Sequence, residues 1–216
     1  MDIVIKAVIL LVIGYLFGCI PTGYLVGKAK GINIQAEGSG NIGATNALRS
    51  LGKGAAAITF IGDLLKAFIP MTIVKFVYCI HIYHFSADWT YLCTLCTGFG
   101  VVLGHNFPVT LKFKGGKGIS VSAAVIIMST LDPIFIGIGL AIFILAVAIT
   151  RYVSVGSLIV VCYIPIYSIM HYRSCSDFPL ILCVSLLFTL LAYIKHGANI
   201  KRLMNGTENK IGGKKE

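Results

Sequence analysis

The sequence predicts an all-α integral membrane protein with seven transmembrane helices, its N-terminus outside and its C-terminus cytoplasmic. Three observations carry this. Of the 216 residues, 57% are hydrophobic and only 12% are charged, about half the charged share of a soluble domain. Mean hydropathy is +0.90. The apolar residues fall in long runs separated by short polar stretches. With so few charges the chain cannot clothe itself for water, so lipid must solvate most of its surface.

The runs lie at 3–26, 54–80, 89–104, 119–131, 134–150, 153–171 and 178–194. The first, with Lys6 near its start, resembles a signal peptide, but it leads through Pro21 and Gly27 into a polar motif without a small-residue cleavage site. It reads as a retained span. The stretch 119–150 would be about 48 Å long as one helix, too long for a hydrocarbon core of about 30 Å. Asp132-Pro133 lies in its middle. Proline disfavours helix in the residue before it and lacks a donor, so the stretch divides into two short spans there.

Charge tests the count. With the loop 27–53 placed inside, the inner segments hold Lys28, Lys30, Arg49, Lys53, Lys112, Lys114, Lys117, Arg151, Lys195, Lys201, Arg202, Lys210, Lys214 and Lys215, fourteen of the eighteen basic residues. Lys6 and Arg173 fall outside, and Lys66 and Lys75 lie within the second span. That asymmetry follows the positive-inside rule. Six spans would move the basic tail to the other side and weaken it. The net charge of +10 is thereby explained without nucleic acid. No internal repeat or long linker divides the chain, which reads as one polytopic domain, 1–216, ending in a short, partly mobile polar tail at 205–216.

Cys93 and Cys96 form a C-x-x-C, but inside an apolar run and with no second pair. The seven cysteines mostly behave as small hydrophobes.

Three glycine-rich, polar stretches fall on the inner side under this topology. The first is G-S-G-N-I-G-A-T-N-A-L-R at 38–49. Gly38, Gly40 and Gly43 allow backbone N–H groups to converge on an anion. Ser39, Asn41, Thr45 and Asn46 add short hydrogen-bonding groups, and Arg49 adds a fork suited to phosphate. The bland alternative is a polar loop capping the second span. The second stretch combines His105 with K-F-K-G-G-K-G at 112–118. Lys112, Lys114 and Lys117 serve either as membrane-side anchors or, with Gly115, Gly116 and Gly118, as an anion cradle; Walker A spacing is absent. The third is H-G-A-N-I-K-R-L-M-N-G-T-E at 196–208. His196, Asn199 and Arg202 share one face if the last span continues as a helix. His196 is then an acid/base or phosphate-ligand candidate. Asp63 and Lys66, three apart within the second span, form either a structural ion pair or part of a site. Lys75 reads as a snorkelling side chain.

Transporters concentrate polar groups near the midplane, whereas this chain gathers them at one interface. A CDP-alcohol phosphotransferase needs a carboxylate-rich metal motif, and the eight acidic residues here are scattered. A purely structural subunit needs no such motifs. The residues alone support a membrane enzyme that holds phosphate groups.

The three motifs, with L-G-H-N-F-P at 103–108 and G-D-L-L-K at 62–66, closely resemble the bacterial acyl-phosphate:glycerol-3-phosphate acyltransferases (PlsY family), in order and across essentially the whole chain. Ala67 stands where that family commonly has glycine. The resemblance implies transfer of an acyl group from acyl phosphate to the 1-hydroxyl of glycerol 3-phosphate, forming lysophosphatidic acid in phospholipid biosynthesis. It implies no cofactor or metal, a place in the inner (plasma) membrane with the active site at the cytoplasmic face, and a functional link to the enzyme supplying acyl phosphate. On that reading Ser39, Arg49, Lys117, His196 and Asn199 are catalytic. Gly38, Gly40, Asn41, Thr45, Asn46, His105, Lys112, Lys114, Gly115, Gly116, Gly118, Arg202 and Glu208 bind substrate. The proton acceptor is His196 or a substrate phosphate; a Ser39 acyl-enzyme is a third route.

Overall fold

A computed structural model describes residues 3–211, and every described element is helical. The inner-side Lys214 and Lys215, and the end of the expected 205–216 tail, lie outside these residues. Among the described residues, six stretches are long and apolar enough to cross a membrane: Ile5–Ala29, Lys53–Ile82, Ala87–Leu111, Pro133–Thr150, Val153–Tyr172 and Phe178–Lys195. The packing falls into two compact units, one ending at Ser129 and the other beginning at Thr130.

The first unit opens with α1 (Ile3–Gly18) and α2 (Thr22–Ala29). The expected single run at 3–26 is therefore two helices. Pro21 accounts for the break, because it removes a donor and forces Ile20 out of helical geometry. The short α3 (Ala44–Ser50) leads into α4 (Lys53–Thr72). Pro70 lies inside α4, and beyond it Ile73–Ile82 winds more widely, with i→i+5 character; a proline that deletes a backbone bond is a ready cause of such widening. Then come α5 (Ala87–Asn106) and α6 (Ile119–Thr130). At about 1.5 Å per residue, α6 spans only about 18 Å.

Helices α1 and α5 approach through glycine. A Cβ on Gly14 or Gly18 would collide with the carbonyls of Thr97 or Val101; one on Gly100 or Gly104 would strike those of Leu11 or Tyr15. Two G-x-x-x-G faces thus meet backbone to backbone, the close approach that small residues permit between helices in lipid. Lys75 does not snorkel. Its ammonium donates to the carbonyls of Met128 (2.7 Å) and Ser129 (3.4 Å). It caps the last turn of α6, where unsatisfied carbonyls carry the negative end of the helix dipole.

The second unit contains α7 (Pro133–Thr150), α8 (Val153–Val160), α9 (Tyr163–Tyr172), α10 (Phe178–Lys195) and α11 (Gly197–Met204). The chain breaks before Pro133 as the sequence predicts, and the Asp132 carboxylate caps α7 by accepting from the N–H groups of Ile134 and Phe135, both at 3.0 Å. The expected run at 153–171 is divided at Val161–Cys162. Pro165 cannot donate to the Val161 carbonyl, four residues back; the Thr189 hydroxyl of α10 does so instead, at 2.9 Å. Ile134, Ile144, Leu145 and Ile149 of α7 are exposed, as lipid-facing side chains are.

Candidate active site

The first glycine-rich loop rests on a small apolar core of Ile34, Ile42, Ala47, Leu51 and Ala55, with Leu111 packed against it. Its conformation is set by Asn46, 1% exposed at the start of α3. The Asn46 amide donates to the carbonyls of Glu37 (2.9 Å) and Ile34 (3.3 Å), and its oxygen accepts from the Ser39 N–H (2.9 Å). Asn46, expected to bind substrate, also holds the loop, because three backbone groups of 34–39 converge on its amide. Gly38 (φ 56°) is left-handed, and a Cβ there would run into the Asn46 amide oxygen. Gly40 is also left-handed, at φ 69°. Ser39, Thr45 and Arg49 are exposed, and Asn41 is half-buried. A loop with fixed backbone thus displays a hydroxyl and a guanidinium.

The second stretch lies beside the first. Gln35 donates through Nε2 to the Lys114 carbonyl at 2.8 Å, a link the sequence reading missed. Lys112 and Lys114 are exposed, Lys117 is half-buried, and Gly118 is buried with φ 79°. Gly115 and Gly116 do more than permit a cradle. A Cβ on Gly115 would meet the His105 carbonyl, and one on Gly116 would occupy the space of the His105 ring. The Gly116 N–H donates to the His105 carbonyl at 2.9 Å. His105, expected to bind substrate, is 3% exposed and packs against the two glycines.

Behind His105 lies a buried charge cluster. Asp63 and Lys66, 1% and 3% exposed, form an ion pair at 3.0 Å. Lys66 Nζ also approaches His105 Nδ1 at 2.9 Å and donates to the Ile20 carbonyl at 2.9 Å. Thr22 donates its hydroxyl to Asp63 Oδ1 at 2.5 Å, and His105 Nδ1 stands 3.5 Å from the same oxygen. The Ile20 carbonyl is available because of the break between α1 and α2. Asp63 and Lys66 are thus paired, and both are tied to the second motif.

The second unit carries the third stretch. The last span does not continue: α10 stops at Lys195 and α11 begins after His196. His196 is 3% exposed and its Nδ1 lies 2.7 Å from the Ala192 carbonyl. A carbonyl only accepts, so Nδ1 carries the proton and Nε2 is the acceptor nitrogen. Asn199 and Arg202 do share a face of α11, and they meet on Glu208. The Glu208 carboxylate accepts from Asn199 Nδ2 (2.8 Å), Arg202 Nε (2.8 Å) and Ser154 Oγ (3.3 Å). Glu208, expected to bind substrate, thus joins two other site candidates. Ser154 was not singled out from the sequence, since nothing marks one serine in an apolar helix.

Among the described residues, no group of three or more His, Cys, Asp or Glu is placed to hold a metal ion, and the cysteines are free thiols.

Apolar spanning helices that hold polar, glycine-rich loops with exposed cations define an integral membrane enzyme. The glycerol-3-phosphate acyltransferase family model matches residues 8–206. The chain is 43% identical to the glycerol-3-phosphate acyltransferase of Clostridioides difficile (strain 630) over 214 residues, covering 97% of each protein. It is 38% identical to that of Bacillus subtilis (strain 168), covering 94% of this chain and 96% of the relative. Crystallographically, it is similar to PlsY (YgiH), an integral membrane glycerol 3-phosphate acyltransferase. Its glycerol 3-phosphate form superposes with a TM-score of 0.81 at 30% identity, covering 95% of this chain and 96% of that one. Its lysophosphatidic acid form gives 0.77. The chain belongs to the glycerol-3-phosphate acyltransferase family.

Proposed function

We propose that the protein transfers an acyl group from acyl phosphate to the 1-hydroxyl of glycerol 3-phosphate, giving lysophosphatidic acid and inorganic phosphate for phospholipid synthesis. The observation that carries this reading is that one homologous fold is known in both a glycerol 3-phosphate form and a lysophosphatidic acid form. Acceptor and product differ by one acyl group on a hydroxyl. The donor follows from the motif resemblance. Acyl phosphate is a mixed anhydride, so the hydroxyl oxygen attacks its carbonyl carbon, the bond to the phosphate oxygen breaks, and phosphate leaves. An activated donor needs positioning and charge stabilisation above all.

Arg49, Lys117 and Arg202 are the cations assigned to phosphate groups, with backbone N–H groups of 38–40 and 115–118. Ser39 and Asn199 orient the reacting groups. Two groups are basic enough to take the hydroxyl proton: His196 through Nε2, and a substrate phosphate, whose second pKa is about 6. His196→Gln separates them, since loss of nearly all turnover assigns the proton to His196 and its retention assigns it to phosphate. A covalent acyl adduct on Ser39 would overturn direct transfer.

We read the chain as one polytopic domain, supported by a family match that runs unbroken along it. It has seven spans in the inner membrane, α6 being the short one, with the N-terminus outside and the active face cytoplasmic. The basic residues on one side support that orientation. Impermeant maleimide should label a cysteine at Lys210 only from the cytoplasmic side.

The deciding experiment supplies purified protein with glycerol 3-phosphate and either palmitoyl phosphate or palmitoyl-CoA. Lysophosphatidic acid should form with palmitoyl phosphate. Product from the CoA donor alone would overturn the donor assignment.

A further inference from the structure

The buried ions of the first unit have no part in the chemistry above, yet they are costly. Charges inside a membrane span are retained where they pair or serve function. Asp63 and Lys66 do pair, but the pair continues to His105. The Lys66 ammonium and the Asp63 carboxylate both meet His105 at Nδ1. The ring is thereby held in one orientation. It fills the space that a side chain at Gly116 would need, and its backbone carbonyl takes the Gly116 N–H. Lys117 is the next residue.

We propose that Asp63, Lys66 and His105 are positioning residues for acyl transfer: through His105 they set the Gly115–Gly116 backbone and so hold the turn that presents Lys117 to the phosphate of glycerol 3-phosphate. None of the three touches the reacting atoms. The inference rests on the substrate reading above. It predicts a selective defect: the acceptor's KM rises, while the donor's KM and kcat stay near wild type.

The test uses the full chain in detergent or nanodiscs. Lys66→Met alone leaves the Asp63 carboxylate buried without its ammonium and threatens folding on that account, so the charges are removed together in Asp63→Asn/Lys66→Met. Gly116→Ala perturbs the same contact from the loop side, with a Cβ where the His105 ring lies. Each should raise the glycerol 3-phosphate KM by about 10- to 100-fold, the scale of a small misplacement of a binding group. Combined, they should raise it no further than the worse of the two, because both act through one contact. Trypsin should cut after Lys117 faster in each variant than in wild type, read by mass spectrometry. Multiplying KM effects, or equal losses in kcat, would overturn the proposal. So would an unchanged KM in Gly116→Ala, whatever the double variant does. The trypsin readout is independent of activity. If wild type makes no lysophosphatidic acid, the substrate reading fails, while the cleavage rates still report whether the cluster holds the loop.

Discussion

The side-chain oxygen of Asn46 accepts a hydrogen bond from the Ser39 N–H at 2.9 Å. One amide at the start of α3 thus fixes the backbone that displays Ser39, and it also ties down the carbonyls of Ile34 and Glu37. Replacing Asn46 with alanine strands these groups. Each buried unpaired group costs about 1–3 kcal/mol. Asn46→Ala should lower the melting temperature and abolish most activity. Asn46→Asp keeps the acceptor and loses the donor, and should fall between. Thr45→Ala, at an exposed position, should leave stability unchanged. Thermal unfolding with an acyltransferase assay checks all three.

Glu208 should behave as a structural hub. It receives Asn199, Arg202 and Ser154, and charge-assisted bonds of this kind contribute about 1.5–3 kcal/mol each to stability. Glu208→Ala should therefore destabilise the fold and remove activity together. Glu208→Gln retains an acceptor but loses the ionic partner of Arg202, and should melt between alanine and wild type. A Glu208→Ala protein with normal stability and a defect in substrate affinity alone would return Glu208 to the binding residues.

Lys75 should contribute stability and nothing to substrate affinity. Its ammonium caps the carbonyls of Met128 and Ser129, an interaction of about 1–2 kcal/mol in a partly buried setting. Lys75→Met should lower the melting temperature by a few degrees with both KM values unchanged.

The glycine faces of α1 and α5 should tolerate no side chain. Gly100→Ala places a methyl against the Leu11 carbonyl, and backbone cannot yield as a side chain can. We expect a loss of at least about 3 kcal/mol, at the upper end of overpacking. Gly137 of α7 meets open space, so Gly137→Ala should be neutral or slightly stabilising. The recovery of monodisperse protein after mild heating distinguishes the two.

Much of the architecture was legible because its causes are local. Asp132-Pro133 announced a break through proline chemistry, and the structure adds that the Asp132 carboxylate caps the helix that follows. The G-x-x-x-G faces at 14–18 and 100–104 were not read in advance, since nothing in the sequence says that one faces the other. Pro21 and Pro165 were visible, but not that they divide spans. Whether a proline merely bends a helix or ends it depends on who takes the orphaned carbonyl. For Val161 that partner is Thr189, from a different helix.

The site was legible as chemistry rather than as roles. Glycine, amide and cation at close spacing mark anion handling by composition. They do not say which amide faces outward. Asn46 and Asn199 look alike in sequence beside Ser39 and Arg202, yet one holds loop backbone and the other donates to Glu208. Lys66 was recognised as an expensive charge, but its contact with His105, 39 positions away, is a property of how α4 and α5 pack.

By itself, the sequence determined the solvent of this protein, the number of its apolar runs, the motifs that mark its family and the residues able to meet phosphate, because hydropathy, charge and residue type are carried by each position alone. The tertiary structure decided which of those polar groups are presented and which are occupied in presenting them. A hydrogen bond needs a partner within about 3 Å, and for Asp63, Lys66, His105, Asn46 and Glu208 that partner is chosen by folding.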